Sequence, residues 1–533
     1  MAQLVDAVVI GAGHNGLVAA NDLADAGWDV VVLEAAAEPG GAVRSAEVMA
    51  PGYVTDLFSA FYPMTVASPV MRRLALEDHG LRWSRAPVVL GHARAEQPAV
   101  VLHHDVAATA AGLEELCAGD GEGWVQLHDT WRRYGSAALD TLLSPFPPVR
   151  SGLRLAWKAR TDVLELARLL VLPVRRMAEE RFGGDAPGLL LAGNALHADV
   201  TPEAAPSAML GWLLCGLAQT VGFPVPVGGA QQITAALCHR LRGAGGELRT
   251  GQPVDHITVR GGRACGVHSG GEVITARRAV IAACDAEILY RRLLDERDVS
   301  DVFTAGWRRF QRAGATVKVN WALGGKVPWT DPALERAGTV HIADSLAELT
   351  MTAAELSTRH LPTDPFLLVG QMTTADPGRS PAGTESLWAY THVPQDAVGD
   401  AAGRIHVGGE LDGTALTEFV ERMEDRIEAH APGFRDRVLA RHVQGPADLE
   451  AANPSLVGGD ISGGTSQLHQ QLVFRPVPGL ARPETPIPGL YLGSASAHPG
   501  GSVHGACGAN AARAARWHDR RHRLVGWRRV EPV

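Results

Sequence analysis

The chain has 533 residues, 46% hydrophobic and 20% charged, with a net charge of −9, which suits a globular protein of two or more domains with ample core. So mild an acidity gives no electrostatic basis for nucleic acid as a partner, and six scattered cysteines with no CxxC pair exclude a local redox disulfide or zinc knuckle and fit reduced thiols in the cytoplasm. No apolar run reaches the roughly 18–20 residues that cross a bilayer, and no secretory leader is expected before a first strand so close to Met1.

Residues 6–34 read DAVVIGAGHNGLVAANDLADAGWDVVVLE. An apolar strand over 7–10 enters Gly11-x-Gly13-x-x-Gly16, a helix carried by Leu17, Val18, Ala20 and Leu23 follows, and a second strand over 30–33 closes on Glu34. The spacing gives each glycine a separate role, in which Gly11 makes the tight turn, Gly13 lets the backbone approach a pyrophosphate, and Gly16 lets helix pack on strand. Ala12 and Asn15 belong to the same cofactor loop. Free N–H groups at the helix start face the phosphates. Glu34, about 20 residues on from the loop, is placed to accept ribose hydroxyls and disfavours a 2′-phosphate. Gly40-Gly41 and Arg44 follow, able to bring backbone amides and a fixed charge to a second group of phosphates.

The run GAGHNGL at 11–17, then Gly40-Gly41, then Pro51-Gly52-Tyr53 and Asp56, resembles the opening of phytoene desaturase-like flavoproteins of the amine oxidase superfamily. Within them it is most similar to the family of pyridine nucleotide-disulfide oxidoreductase domain-containing protein 2. The resemblance implies a bound FAD, with the second glycine pair serving its diphosphate and ribityl region. It also implies an α/β fold: a discontinuous Rossmann-like FAD-binding domain over 1–106, 222–300 and 449–533, a helical subdomain over 107–221, and an inserted mixed-sheet substrate domain over 301–448.

Further along, 107–217 reads mainly as helices. Within 150–181, Leu153, Leu155, Trp157, Val163, Leu166, Leu169 and Leu170 alternate with Arg154, Lys158, Arg160, Arg168, Arg175 and Arg176, and Pro173 is expected to break the run. Two readings stand: a helix with a buried stripe and a solvated basic face, or a weak peripheral contact with a membrane interface. Then Pro226, Gly228 and Gly229 precede a helix over 231–241 and the segment 254–259, where the resemblance implies that the Val254 backbone holds the adenine. Gly261-Gly262 and Gly270-Gly271 predict hairpin turns, and 277–284 a buried strand.

Between 316 and 323 alternation predicts a strand with Lys318 and Asn320 on one face and Val317, Val319 and Trp321 on the other. Further strands are expected at 366–372 and 386–392, and an amphipathic helix on Leu416, Phe419, Val420, Met423 and Ile427. The last block offers Asn453-Pro454, Gly458-Gly459-Asp460, Gly463, Gly489-Leu490-Tyr491-Leu492-Gly493 and His498-Pro499-Gly500-Gly501. A helix from about residue 503 follows, lined by small residues. By resemblance Gly493, His498, Pro499, Gly501 and Ser502 meet the flavin, with the helix start aimed at its pyrimidine edge.

No HExxH, P-loop or GxSxG pattern appears, so the hard chemistry falls to the cofactor. The expected reaction is hydride transfer from a C–C or C–N bond of a small apolar substrate to flavin N5, in a hydrophobic pocket, with oxygen, a quinone or NAD(P) as electron acceptor. A redox-neutral isomerase and a non-catalytic binding protein on the same fold are the alternatives. His498 reads first as a backbone-bonded structural histidine and second as a group polarising substrate, with His504 one turn further; Lys318 reads first as solvated and second as approaching the ring through water; His197 and Asp199 are pocket candidates. Disulfide reduction fails for want of a cysteine pair.

Overall fold

The computed structural model describes residues 3–299 and 301–525. Its first sheet orders the strands Val254–Arg260, Arg263–Ser269, Glu272–Ala282, Gln3–Ile10, Val30–Leu33 and Glu247–Arg249, with Leu490–Leu492 also pairing to Glu272–Ala282. Pairing around Gln3–Ile10 is parallel on both sides, and the two hairpins turn where the glycine pairs were expected. Ala7, Val8 and Val9 are fully buried, because helices cover both faces and a parallel strand so placed reads as a continuous apolar run.

The helix His14–Ala24 follows the first strand and packs against the C-terminal helix Ala506–Val525. Their backbones approach so closely that a Cβ on Gly508 would stand 1.9 Å from the Asn15 carbonyl oxygen. Gly16 is equally constrained, since its Cβ would lie 2.0 Å from the Gly11 oxygen.

A second sheet orders Val438–Gln444, Ala315–Leu323, Glu385–Val393, Leu367–Gln371, Ala337–Ile342, Val88–Ala93 and Val100–Leu102. It is mixed, because Val88–Ala93 pairs parallel to Ala337–Ile342 while the other ladders are antiparallel. Two of its strands thus come from residues before 106, grouped by sequence with the dinucleotide segment; a parallel partner can join from far along the chain and leaves no local signature. One face carries Val317, Val319 and Trp321 into a core shared with Phe419, Val420, Met423 and Ile427 of the helix Gly413–His430. The opposite face meets the helix Ala186–Leu196, where a Cβ on Gly193 would stand 2.4 Å from His341 Nδ1.

The basic, leucine-rich stretch forms the helices Val149–Ala159, Val163–Leu169 and Val174–Arg181, with Pro173 breaking it as expected. Its packing departs from the buried-stripe reading: Leu155, Leu166 and Leu169 pack inward, but Val149, Leu153, Trp157, Leu164 and Val171 stand exposed.

Candidate functional site

The loop at the end of the first strand is built from backbone. Gly11 has φ +95° and lies against the Ala283 carbonyl, and the helix starting at His14 has no side-chain cap. Its first-turn N–H groups are therefore available to an anion. Gly40 bridges to Gly13 and donates its N–H to the Ala12 carbonyl at 3.0 Å. A Cβ on Gly41 would stand 3.2 Å from the Gly13 Cα and 3.8 Å from the Asn453 amide nitrogen. Both glycine groups named from sequence, together with Asn453, converge here.

Glu34 ends the second strand with its carboxylate accepting the Ala12 N–H at 2.6 Å and the Ala36 N–H at 2.9 Å. A carboxylate has about four lone-pair sites, so two remain for hydroxyls. Gln252 donates its N–H to the Glu34 carbonyl at 2.8 Å, which brings the start of the strand at Val254 beside the same edge. Arg44 is tied to backbone, with Nε to Gly41 at 3.1 Å and Nη2 to Ala452 at 2.8 Å, and its guanidinium lies over the Phe58 ring.

Whether these residues fit a dinucleotide cofactor is tested by what they leave open. A Cβ on Gly13 would meet no atom within 4 Å, although its neighbours Gly11, Gly16 and Gly41 are crowded. Asn15 Oδ1 is buried with no hydrogen-bond partner, and buried polar atoms are rarely left so without a ligand. Open space at the glycine that should face a pyrophosphate, beside a polar atom in want of a partner, fits FAD.

At the C-terminal turn, Gly493 donates its N–H to Ala282 at 2.8 Å and allows the last helix to approach. His498 Nε2 meets the Ser144 carbonyl at 3.1 Å, the structural reading of that residue, and burial holds its pKa down at about 4. The His498–Pro499 peptide is cis, and Ser502 adopts φ +87°. Gly501 faces Ser462, its Cβ position 3.1 Å from that carbonyl. The helix begins at Ala506, later than expected, because His504 Nδ1 accepts the Ala506 N–H at 3.0 Å. His504 thus serves as a cap.

Arg475, fully buried, was missed from sequence. Its guanidinium donates to the carbonyls of Ser462, Gly463, Thr465 and Ala495 at 2.8 to 3.1 Å, clamping the glycine loop against the turn. A lone arginine outside any glycine motif gave no signal.

The inner face of the second sheet departs most from expectation. Period two puts Thr316, Lys318 and Asn320 opposite His392, Tyr390 and Trp388 on the adjacent strand. Next along stand Thr339, His341 and His92, and all of these except Tyr390 are buried. On this face buried polar side chains stand beside Trp388 and Leu368 of the apolar core. Lys318 is not solvated but 3% exposed, donating from Nζ to the Asp56 carbonyl and, at 2.8 Å, to Asn320 Oδ1. Burial lowers its pKa to about 7 against the opposing pull of Asp56. Trp388 lies 5.4 Å from the amine.

His197 and Asp199 do reach this face. His197 Nε2 meets His341 Nε2 at 2.8 Å, so one imidazole donates and the other accepts, and burial keeps both neutral. Asp199 accepts the Thr465 hydroxyl at 2.9 Å, and burial raises its carboxyl to about 7. Thr316 Oγ1, Thr339 Oγ1 and both ring nitrogens of His392 have no hydrogen-bond partner of ordinary geometry.

Dinucleotide loop and sheet face are joined through Asp56. Its carboxylate accepts two bonds from the buried Arg379 at 3.1 Å, the Ser45 hydroxyl at 2.7 Å and the Ala230 N–H at 2.8 Å. Arg379 also reaches Asp376, in the turn between two sheet strands, at 3.0 Å. All six cysteines are free thiols, five of them buried, in keeping with the exclusion of disulfide chemistry. No helix of the described residues is long and apolar enough to cross a membrane.

Comparison with known proteins agrees with this geometry. The chain is 27% identical to pyridine nucleotide-disulfide oxidoreductase domain-containing protein 2 of Rattus norvegicus, over 95% of this chain and 92% of the relative. It is 26% identical to the zeta-carotene-forming phytoene desaturase of Myxococcus xanthus, over 92% and 90%. Among solved structures, an oxidoreductase from Methanosarcina mazei superposes with a TM-score of 0.63 at 16% identity, over 96% and 99% of the two chains, which shows the fold. The family described as flavin containing amine oxidoreductase matches residues 16–397; the chain, with its glycine-built loop and two-sheet architecture, belongs to that family of enzymes.

Proposed function

We propose that the protein is an FAD-dependent dehydrogenase that removes a hydride from a C–C or C–N bond of an organic substrate with a polar group beside an apolar body. The observation that carries the reading is the open space at Gly13, bounded by Gly40-Gly41 and by the unpartnered Asn15 amide. Gly11, Ala12, Gly16 and the helix start would hold the diphosphate, Glu34 and Val254 the adenosine, and Arg44, Gly493, His498, Pro499, Gly501 and Ser502 the flavin end. When bound, FAD supplies a two-electron acceptor for the C–H bond.

The chain's own residues do the rest. The sheet face excludes water and offers hydrogen bonds from the unpartnered hydroxyls of Thr316 and Thr339 to a polar substrate group. A site built to bond such a group rejects an analogue that lacks it, because its buried polar atoms are then left unpaired. Lys318, with a pKa of about 7, is a neutral amine above that pH and can take a proton at Nζ. Asp199, held by Thr465, stays largely protonated below about 7.

The relatives support oxidation over redox-neutral isomerisation, one being named a desaturase. The test is an anaerobic screen on the reconstituted protein, comparing hydrocarbons with matched alcohols, carboxylic acids and amines, read by loss of flavin absorbance. Bleaching by the polar-headed compounds is expected. Bleaching by hydrocarbons alone overturns the substrate class, substrate turnover without bleaching points to isomerisation, and a protein that takes up no FAD overturns the whole reading.

A further inference from the structure

We propose that the outer face of residues 149–171 is a docking surface for an anionic lipid bilayer. In the helix Val149–Ala159 only Ala159 is buried. While Leu155 packs inward, Val149, Leu153 and Trp157 point away from the protein, Leu153 being 67% and Trp157 69% exposed, and Leu164 on the next helix is 78% exposed. A soluble surface rarely gathers a tryptophan and several leucines and valines in one contiguous patch without a partner.

The charges beside this patch identify the partner. Val149, Leu153 and Trp157 recur every four residues, as do Arg150, Arg154 and Lys158, so an apolar stripe and a basic stripe run side by side along one helix. Among the described residues none of these three cations has an ion-pair partner, and Arg160 lies over the Trp157 ring at 5.0 Å. The chain as a whole carries −9, so this is a basic patch on an acidic protein. An interfacial helix buries its apolar face at the headgroup boundary, places tryptophan at the same depth, and keeps lysine and arginine among anionic headgroups.

A second copy of the chain fits less well, since a two-fold contact sets each patch against itself and opposes its cations to their twins. The basic residues further along do not take part. Arg175 is engaged by Glu203 at 2.5 Å, and Arg176 and Arg168 by Glu180 at 2.9 and 2.7 Å. The helix starts just after Phe146, whose ring meets that of His498 at 5.8 Å, so the docked face continues directly from the turn that ends the candidate site.

The experiment is flotation of the full-length protein with vesicles of phosphatidylcholine alone or mixed with phosphatidylglycerol, at low and high salt. Wild type should bind the mixed vesicles, bind neutral ones weakly, and dissociate as salt rises. Arg150→Glu/Arg154→Glu/Lys158→Glu should bind about a hundredfold more weakly, each lost cation contributing roughly fivefold. Leu153→Ser/Trp157→Ser should also lose binding, while Arg175→Glu should keep it. Circular dichroism and flavin content should match wild type in every variant. No vesicle binding, equal binding to both lipids, equal binding by the two multiple variants and wild type, or a self-association that both variants abolish would overturn the proposal.

Discussion

At the glycine loop the surface open to a cofactor is backbone, whereas the inner face of the second sheet is lined by side chains. The loop's own glycines lie within a few dozen positions of one another, with Ala283, Asn453 and Gly508 closing in from far along the chain, and what matters there is the absence of Cβ atoms. The sheet face gathers Lys318, Tyr390, His392, His341 and His92 from four strands, and what matters there is which polar groups burial leaves unpaired. Within one fold, the glycine surface is set by spacing within one short segment, while the side-chain surface is assembled from strands far apart in the chain.

The sharpest way to break this contrast is to add a side chain at two glycines. Gly508→Val forces a Cβ into the Asn15 carbonyl, and overpacking of this kind should destabilise the fold by about 3 kcal/mol or more. Gly13→Val places its branch in open space at φ −67°, ψ 168°. That variant should melt within a few degrees of wild type yet lose FAD almost completely. Thermal melting alongside flavin absorbance after reconstitution separates the two, and similar behaviour by both variants would dissolve the distinction.

Next in size is the joint between the regions. Asp56→Asn leaves the buried Arg379 with Asp376 as its remaining carboxylate and should cost about 1.5–3 kcal/mol in urea unfolding. A loss below about 1 kcal/mol would mean that the ion pair does not hold the two sheets together.

On the side-chain surface, Lys318→Met should slow anaerobic flavin reduction on the order of a hundredfold and remove an inflection near pH 7. The groups facing this amine are Asp56, Asn320, Trp388 and His442. The effect on stability follows in sign. The folded amine titrates near 7 and the unfolded one at 10.5, so between these values the unfolded chain binds more protons and this group's contribution to stability climbs as pH rises. Below pH 7 that contribution is absent. Asp199 works in the other direction, raised from 3.8 to about 7, so its contribution is present below about 3.8 and is lost as pH rises through 7. A Lys318→Met variant whose stability still climbs between pH 7 and 10.5 as wild type does would reject the assignment.

The smallest effect is expected at Glu34→Gln. Its two backbone N–H bonds can still be accepted by an amide oxygen in part, so FAD affinity should fall only about tenfold with stability little changed. Titration of the apoprotein followed by flavin fluorescence measures it.

The amino-acid sequence by itself determined the cofactor end. Gly11, Gly13, Gly16 and Glu34 stand at spacings that only a strand–turn–helix–strand unit explains, and alternation alone put Lys318 and Asn320 on one face of a strand. Tertiary structure decided what those faces meet. Lysine on a strand reads as solvated until the segment carrying Asp56 and the Trp388 ring close over it. The 149–159 helix reads as half-buried until its neighbours leave the leucine and tryptophan stripe outside. Periodicity fixes which side chains share a face, because it is set by the local backbone; burial, and with it the pKa of Lys318 and Asp199 and the clamp of Arg475, depends on elements hundreds of residues apart in the chain, and no local pattern encodes their approach.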